Sequence, residues 1–340
     1  SYIDSKTIKK FRRTIFKASE DFYRGLLETL PKEGTFEITD IQNICELVIK
    51  EIETIQKKYT KPLFDRINIA VECARMLTQA LAVDAPLMIQ KIHETAKLEK
   101  TEILPVDALE LYSALKEIRN IFNQVQPEKE RFSFNLESTF GKYLIKFAKN
   151  ISKNIDKAFV SALKLEKWKP LNGVFYSSSV LDIFKMANQS VEVFGNFDWD
   201  YDYTYAYSVT LVLKSFSDGI QQYCSYITDI VQRSLREGAE DTTQTQQTSD
   251  PTVINDKHTS RWNFRGLKDA LGSSSDIQVP KAYKFEKLVC TMLNNVDTMI
   301  SLLEKLESKV DSTKLSTIMN ETPESSRYKN KRAQKDCLLY

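Results

Sequence analysis

Apolar residues return at helical spacing through almost every long segment of this chain. Between residues 4 and 30, Ile8, Phe11, Ile15, Phe22, Leu26 and Leu30 are separated by steps of three, four and seven. That spacing puts them on one stripe of an α-helix. Pro31 and Gly34 end the stripe, and Thr39 with Gln42 fits a capping box that opens a second helix carrying Ile41, Ile44, Leu47, Val48, Ile52 and Ile55. Pro62 stands where a first helical turn tolerates proline, ahead of Ile67, Val71, Ala74, Leu77 and Leu81. Further helices are expected over 106–126, 135–167 (closed by Trp168 and Pro170), 176–194, 203–236 and 281–309. Only nine glycines and nine prolines interrupt 340 residues, so the elements are long and the joints short. No strand alternation and no repeat of fixed period competes with this pattern. The fold class is all-α, an elongated rod of stacked antiparallel helical bundles.

The rod is assigned to residues 1–310. A disordered loop is expected within it at about 237–280, because 237–260 is rich in Glu, Asp, Thr, Gln and Ser and has no aromatic residue. Such a segment buries too little apolar area to offset its ordering entropy. Residues 311–340 read as a polar tail or linker ending in a basic patch of Lys329, Lys331, Arg332 and Lys335. Five cysteines are widely spaced, odd in number and form no CxxC pair, which points to buried or incidental thiols in a reducing compartment. No apolar run approaches the ~20 residues of a membrane span, and the N-terminus has no signal-peptide pattern. The expected location is cytoplasmic, and the chain reads as a piece of a larger protein.

Catalytic chemistry has little to stand on. There are two histidines, His93 and His258, and neither has a cysteine or histidine at metal-ligand spacing. Phosphate-binding, dinucleotide, zinc-protease and nucleophile-elbow motifs are missing from the sequence. Asp198, Asp200 and Asp202 imitate the start of a calcium loop, but Tyr203 and Val209 occupy its glycine and bidentate-glutamate positions. An acidic, aromatic turn between two helices is the expected structure. No enzyme activity, metal, cofactor or small-molecule substrate is expected, and a net charge of +2 from 48 basic and 46 acidic residues argues against nucleic acid.

Charge is informative locally. Lys142, Lys146, Lys149, Lys153, Lys157 and Lys164 recur at steps of four, three, four, four and seven, so they share a helix face. Residues 141–169 hold eight lysines against Asp156 and Glu166, a local balance of +6. Leu144, Phe147, Ile151, Ile155, Phe159 and Leu163 form the other face. The lysines are read as a surface for anionic lipid headgroups or an acidic protein, or as a solvated face of a helix that packs with its other side. Residues 191–241 carry nine acids against Lys214, Arg233 and Arg236, a balance of −6. That stretch would steer a charged partner or pair with the lysines within the chain.

The run from Tyr176 through Ser177, Ser178, Ser179, Val180, Leu181, Asp182, Ile183 and Phe184 to Asn188, Gln189, Ser190, Val191 and Phe194 resembles a known signature. It is the first Munc-homology segment of the MUN domain, found in the Unc-thirteen family of vesicle-priming factors. Residues 287–297 (Lys-Leu-Val-Cys-Thr-Met-Leu-Asn-Asn-Val-Asp), followed by Leu302 to Leu306, resemble a second family segment, and Asp107 to Tyr112 is a weaker echo. The order matches the family's, with the first Munc-homology segment around 135–236. The resemblance implies a helical rod like those of vesicle-tethering subunits. It also implies binding to syntaxin-type SNAREs and their Sec/Munc partners, so that syntaxin opens before membrane fusion. No bond is made or broken in such a role. It further implies peripheral location at the plasma membrane or at sites of secretion and division. The family's partner-contacting Asn and Phe fall on Asn188 and Val191, one turn apart on one helix face. Valine shortens the apolar knob, and Val191→Phe is expected to restore it. The polar loop and basic tail resemble fungal-type members, for which a signalling scaffold in a nutrient or cyclic AMP pathway is the alternative role.

Overall fold

A computed structural model describes residues 4–31, 37–126, 130–200, 202–244 and 286–321. Among them are nine α-helices and no strand beyond an isolated bridge between Leu63 and Ile67. The helices are α1 (Ser5–Glu28), α2 (Ile38–Lys58), α3 (Ile69–Glu99), α4 (Pro105–Val125), α5 (Leu136–Leu165), α6 (Ser178–Asn196), α7 (Tyr203–Gln244), α8 (Lys287–Glu307) and α9 (Ser312–Glu321). Short polar side chains start several of them by accepting from otherwise free backbone N–H groups. Asp4 accepts from Thr7 N at 2.7 Å, Asn135 from Ser138 N at 2.9 Å and Asp202 from Tyr205 N at 2.8 Å.

Two expected helix starts are displaced. α2 begins at Ile38, before Thr39, because the Asp40 carboxylate accepts from Glu37 N at 2.7 Å and forms the capping box there instead. Pro62 opens a turn, not a helix: Leu63 N donates to Ile67 O at 2.7 Å, and Phe64 and Asp65 are left-handed. α3 starts only after Asn68, whose side chain accepts from Val71 N at 3.2 Å. A third difference lies at the C-terminal side. Residues 312–321, which composition assigns to the tail, form α9 and bury Leu315 against α7. At the expected loop of about 237–280, α7 continues through 244, and the remainder lies outside the described residues, as does the rest of the tail with its basic patch.

Packing follows chain order. α1 and α2 lie on α3, α2 and α3 lie on α4, and α4 passes the contact to α5. α5 against α7 is the broadest interface; α6 and α8 pack beside this pair, and α9 rests on α7. The buried core runs without a break from Tyr23 on α1 to Leu315 on α9. Principal contacts between near neighbours give a ladder of stacked bundles, as the rod expectation requires. Gly219 on α7 allows the broadest rung to close: a Cβ there would stand 2.3 Å from the Phe159 ring of α5.

The acidic turn between α6 and α7 is an electrostatic joint. Arg119 of α4 donates two bonds to Glu137 of α5, at 2.7 and 2.8 Å, and Tyr112 adds a third at 3.1 Å. Lys116 of α4 reaches Asp198 and Asp200 at 3.2 Å each. Trp199 stacks on Tyr112 with ring centroids 4.2 Å apart and donates to Asp202 at 3.2 Å. The three aspartates that mimic a calcium loop are thus engaged by Lys116, Arg119 and Trp199. Of these acids of the 191–241 stretch, Asp198 and Asp200 pair with α4, not with the lysines of α5, and Asp202 is bonded within the turn and the start of α7.

Candidate functional site

α6 carries both the predicted contact pair and the first signature segment. Its inner face buries Val180, Ile183, Phe184, Ala187 and Phe194, which sets Asn188 and Val191 on the flank, half-buried. Leu181, within the signature run, is exposed. Asn188 Nδ2 donates to Phe184 O at 2.8 Å, one turn back along the helix. Its Oδ1 accepts from Lys309 Nζ at 2.7 Å, and Lys309 also lies 3.7 Å from Glu192. Val191 faces Tyr205, Val209, Val310 and Leu315 across a small cavity of about 40 Å³. The pair therefore sits beneath the joint between α8 and α9. Sequence reasoning missed Lys309, Val310 and Leu315. The available signal was a short apolar series, Val310, Leu315, Ile318 and Met319, inside an otherwise polar stretch.

The two signature segments meet through a buried polar network. Asn295 of α8 is fully buried; its Oδ1 accepts from Ser177 N at 2.8 Å, and its Nδ2 donates to Ser177 Oγ and Tyr223 Oη at 2.8 Å each. Ser177 in turn donates to Glu166 at 2.8 Å, and Glu166 accepts from Trp168 N at 2.9 Å. A buried amide with every group paired stabilises one register and penalises others. The serine run and the Asn294–Asn295 pair hold α8 to the start of α6; among them Asn294 reaches out to Phe175 O at 3.3 Å.

Along α5, Lys142, Lys149, Lys153, Lys157 and Lys164 are exposed, while Leu144, Ile155 and Phe159 are buried. Lys146 departs from the stripe, being half-buried and paired with Glu102 of the α3–α4 connection. Lys142 lies 4.9 Å from the centroid of the Tyr143 ring. Where α5 ends, a groove of about 640 Å³ opens toward the start of α6, lined by Leu165, Leu171 and Ile183 with Lys167, Lys169 and Asp182. His93 is partly buried, with its Nε2 2.6 Å from the Tyr143 hydroxyl; burial first, and then Lys142, holds its pKa below the ordinary value. His258 lies outside the described residues. Burial pushes the Cys45 thiol up to about 12, the state of an inert core residue.

No described helix is long and apolar enough to cross a membrane. An uncharacterized protein of Saccharomyces cerevisiae is 38% identical over 322 residues, 92% of this chain and 25% of that relative. An uncharacterized protein of Schizosaccharomyces pombe is 22% identical over 250 residues, 73% of this chain and 19% of the relative. The chain thus spans a quarter or less of these fungal relatives. No solved structure matches it. The family model of the MUN domain matches residues 25–326, from the end of α1 through α9, and includes both signature segments and the network that joins them, so the chain belongs to the MUN domain family.

Proposed function

We propose that this chain is a SNARE-regulating priming or tethering module, in which the α6 flank around Asn188 and Val191 contacts a syntaxin-type SNARE held by its Sec/Munc partner. MUN domains are helical protein-interaction modules of Unc-thirteen-like trafficking proteins and not an enzyme family. One observation carries the finer reading: Asn188 lies half-buried on the flank of α6, and its Oδ1 accepts from Lys309, whose side chain is 48% exposed. A partner that supplies a stronger donor displaces that lysine at little cost, since exposed pairs contribute about 0–1 kcal/mol. Binding the open form of syntaxin better than the closed form then shifts its population. The exposed lysines of α5 add attraction toward an anionic surface, at about 1 kcal/mol for each lysine that reaches it.

The test is a SNARE-assembly assay with syntaxin bound to its Sec/Munc partner, with and without the purified chain. The chain is expected to accelerate assembly, and Asn188→Ala to reduce that acceleration while leaving the thermal melt unchanged. An inert wild-type chain that instead retains cyclase or kinase components would replace the reading with a signalling scaffold. A variant that loses stability with no specific binding defect would remove Asn188 from the contact surface.

A further inference from the structure

The segment between α5 and α6 is an ordered loop with apolar residues turned outward. Leu165 is 77% exposed and Phe175 is 79% exposed, while Leu171 between them is exposed at 36%. Leaving three large apolar side chains in water at one joint is unfavourable, and they are not left there by looseness of the backbone. Leu171 N donates to Tyr176 O at 3.0 Å and Val174 N to Leu171 O at 3.2 Å, closing a turn whose tip, Gly173, has φ +82°. Trp168, also left-handed, is buried between Tyr223 and Tyr226. Asn294 holds Phe175 O, and Asn295 holds Ser177 from below.

Positive charge lies on the α5 side of this loop. Lys164, Lys167 and Lys169 are exposed beside Leu165 and Leu171, and the lysines of α5 continue the positive field from Lys149 through Lys157. Of the acids nearby, Glu166 is turned inward to Ser177 and Trp168, Asp182 stands on the groove wall, and Asp156 is exposed among the α5 lysines. Protruding leucine and phenylalanine on a loop that also exposes lysines is the combination that anionic bilayer surfaces retain. Apolar tips enter the headgroup boundary and ammonium groups stay among the phosphates. Pre-ordering of the loop removes most of the entropy cost of docking.

We propose that the α5–α6 loop is a membrane-contact site, inserting Leu165, Leu171 and Phe175 into an anionic lipid surface while Lys164, Lys167 and Lys169 bind its headgroups. The site deepens the basic-surface reading of α5 and rests on it, adding an apolar anchor to what would otherwise be a purely electrostatic attraction. Insertion by protruding side chains distinguishes it from capture of an acidic amphipathic helix, which would fill the groove and be independent of Phe175.

The experiment is co-sedimentation of the purified chain with phosphatidylserine-containing vesicles and with pure phosphatidylcholine vesicles, across a salt series. Wild type is expected to bind the anionic vesicles, with binding that persists in part at high salt. Leu165→Ser with Phe175→Ser should weaken it about tenfold or more, from the apolar area withdrawn, with circular dichroism and melting unchanged because both side chains are exposed. Lys149→Glu, Lys153→Glu and Lys157→Glu together should weaken it mainly at low salt. Wild-type affinity in the serine variant, with loss in the lysine variant, would overturn loop insertion and leave the basic surface standing. Loss in neither, or no vesicle binding by wild type, would overturn both. Binding of an acidic helical peptide that Phe175→Ser leaves intact, with no vesicle binding, would replace the membrane by a protein partner.

Discussion

Asn188 and Asn295 come from the two signature segments, and their surroundings assign them opposite roles. Asn295 makes three bonds with its side chain at 0% exposure. Asn295→Ala should destabilise the chain by about 3 kcal/mol, because each buried group left unpaired costs about 1–3 kcal/mol. A denaturant melt checks this, and a shift as small as that expected for Asn188→Ala would contradict it. Val191 departs from the sequence-based expectation. With only a small cavity before Val310 and Leu315, the larger ring in Val191→Phe has to push the α8–α9 joint away, for about 1–3 kcal/mol of overpacking. The variant should melt lower than wild type whatever it does to partner binding. Residue spacing showed that Asn188 and Val191 share a flank. It could not show that the flank is roofed, because Lys309 lies 121 positions from Asn188.

At the scale of elements, the apolar stripe of α5 was legible because the helix buries one face: Leu144, Ile155 and Phe159 are in the core, and Phe147, Ile151 and Leu163 are partly buried against it. Starts were less legible, since a carboxylate at Asp40 competes with Thr39 for the role of cap and only the folded backbone decides. α9 escaped notice for a different reason. Ten residues form a helix that is marginal alone, and α9 draws its stability from α7. Helix-to-helix distance was wholly hidden. Gly219 looks like a weak point in α7, yet it is what lets Phe159 approach. Gly219→Ala should therefore destabilise the chain by about 2 kcal/mol despite alanine's better helix propensity, because the methyl meets the ring at 2.3 Å. A thermal melt higher than that of wild type would show that the interface can slide apart without loss.

For the molecule as a whole, α4 and α5 join the N-terminal bundle to the C-terminal one, and Glu137 is the carboxylate at that joint. Burial opposes its ionisation, but the two bonds from Arg119 and the one from Tyr112 outweigh it and hold the carboxyl below its ordinary value of 4.5. Ionised Glu137 thus contributes stability that is fully present above pH 4.5 and is lost as pH falls through the lower folded-state value. Glu137→Gln should be less stable than wild type at neutral pH, with the gap narrowing in acid. Chemical melts of both proteins across that range read the difference, and a gap independent of pH would assign the loss to packing.

α6 also sets a distance. Ser178, where the helix leaves the apolar loop, and Asn188 are ten residues apart, about 15 Å of helical rise. With its first turn tied to α8 through the polar network and its inner face buried, the helix is a stiff spacer. A protein docked on the Asn188 flank would stand at a fixed height above anything that holds the loop, beyond the reach of the loop's lysines in physiological salt, where charges are screened over about 8 Å.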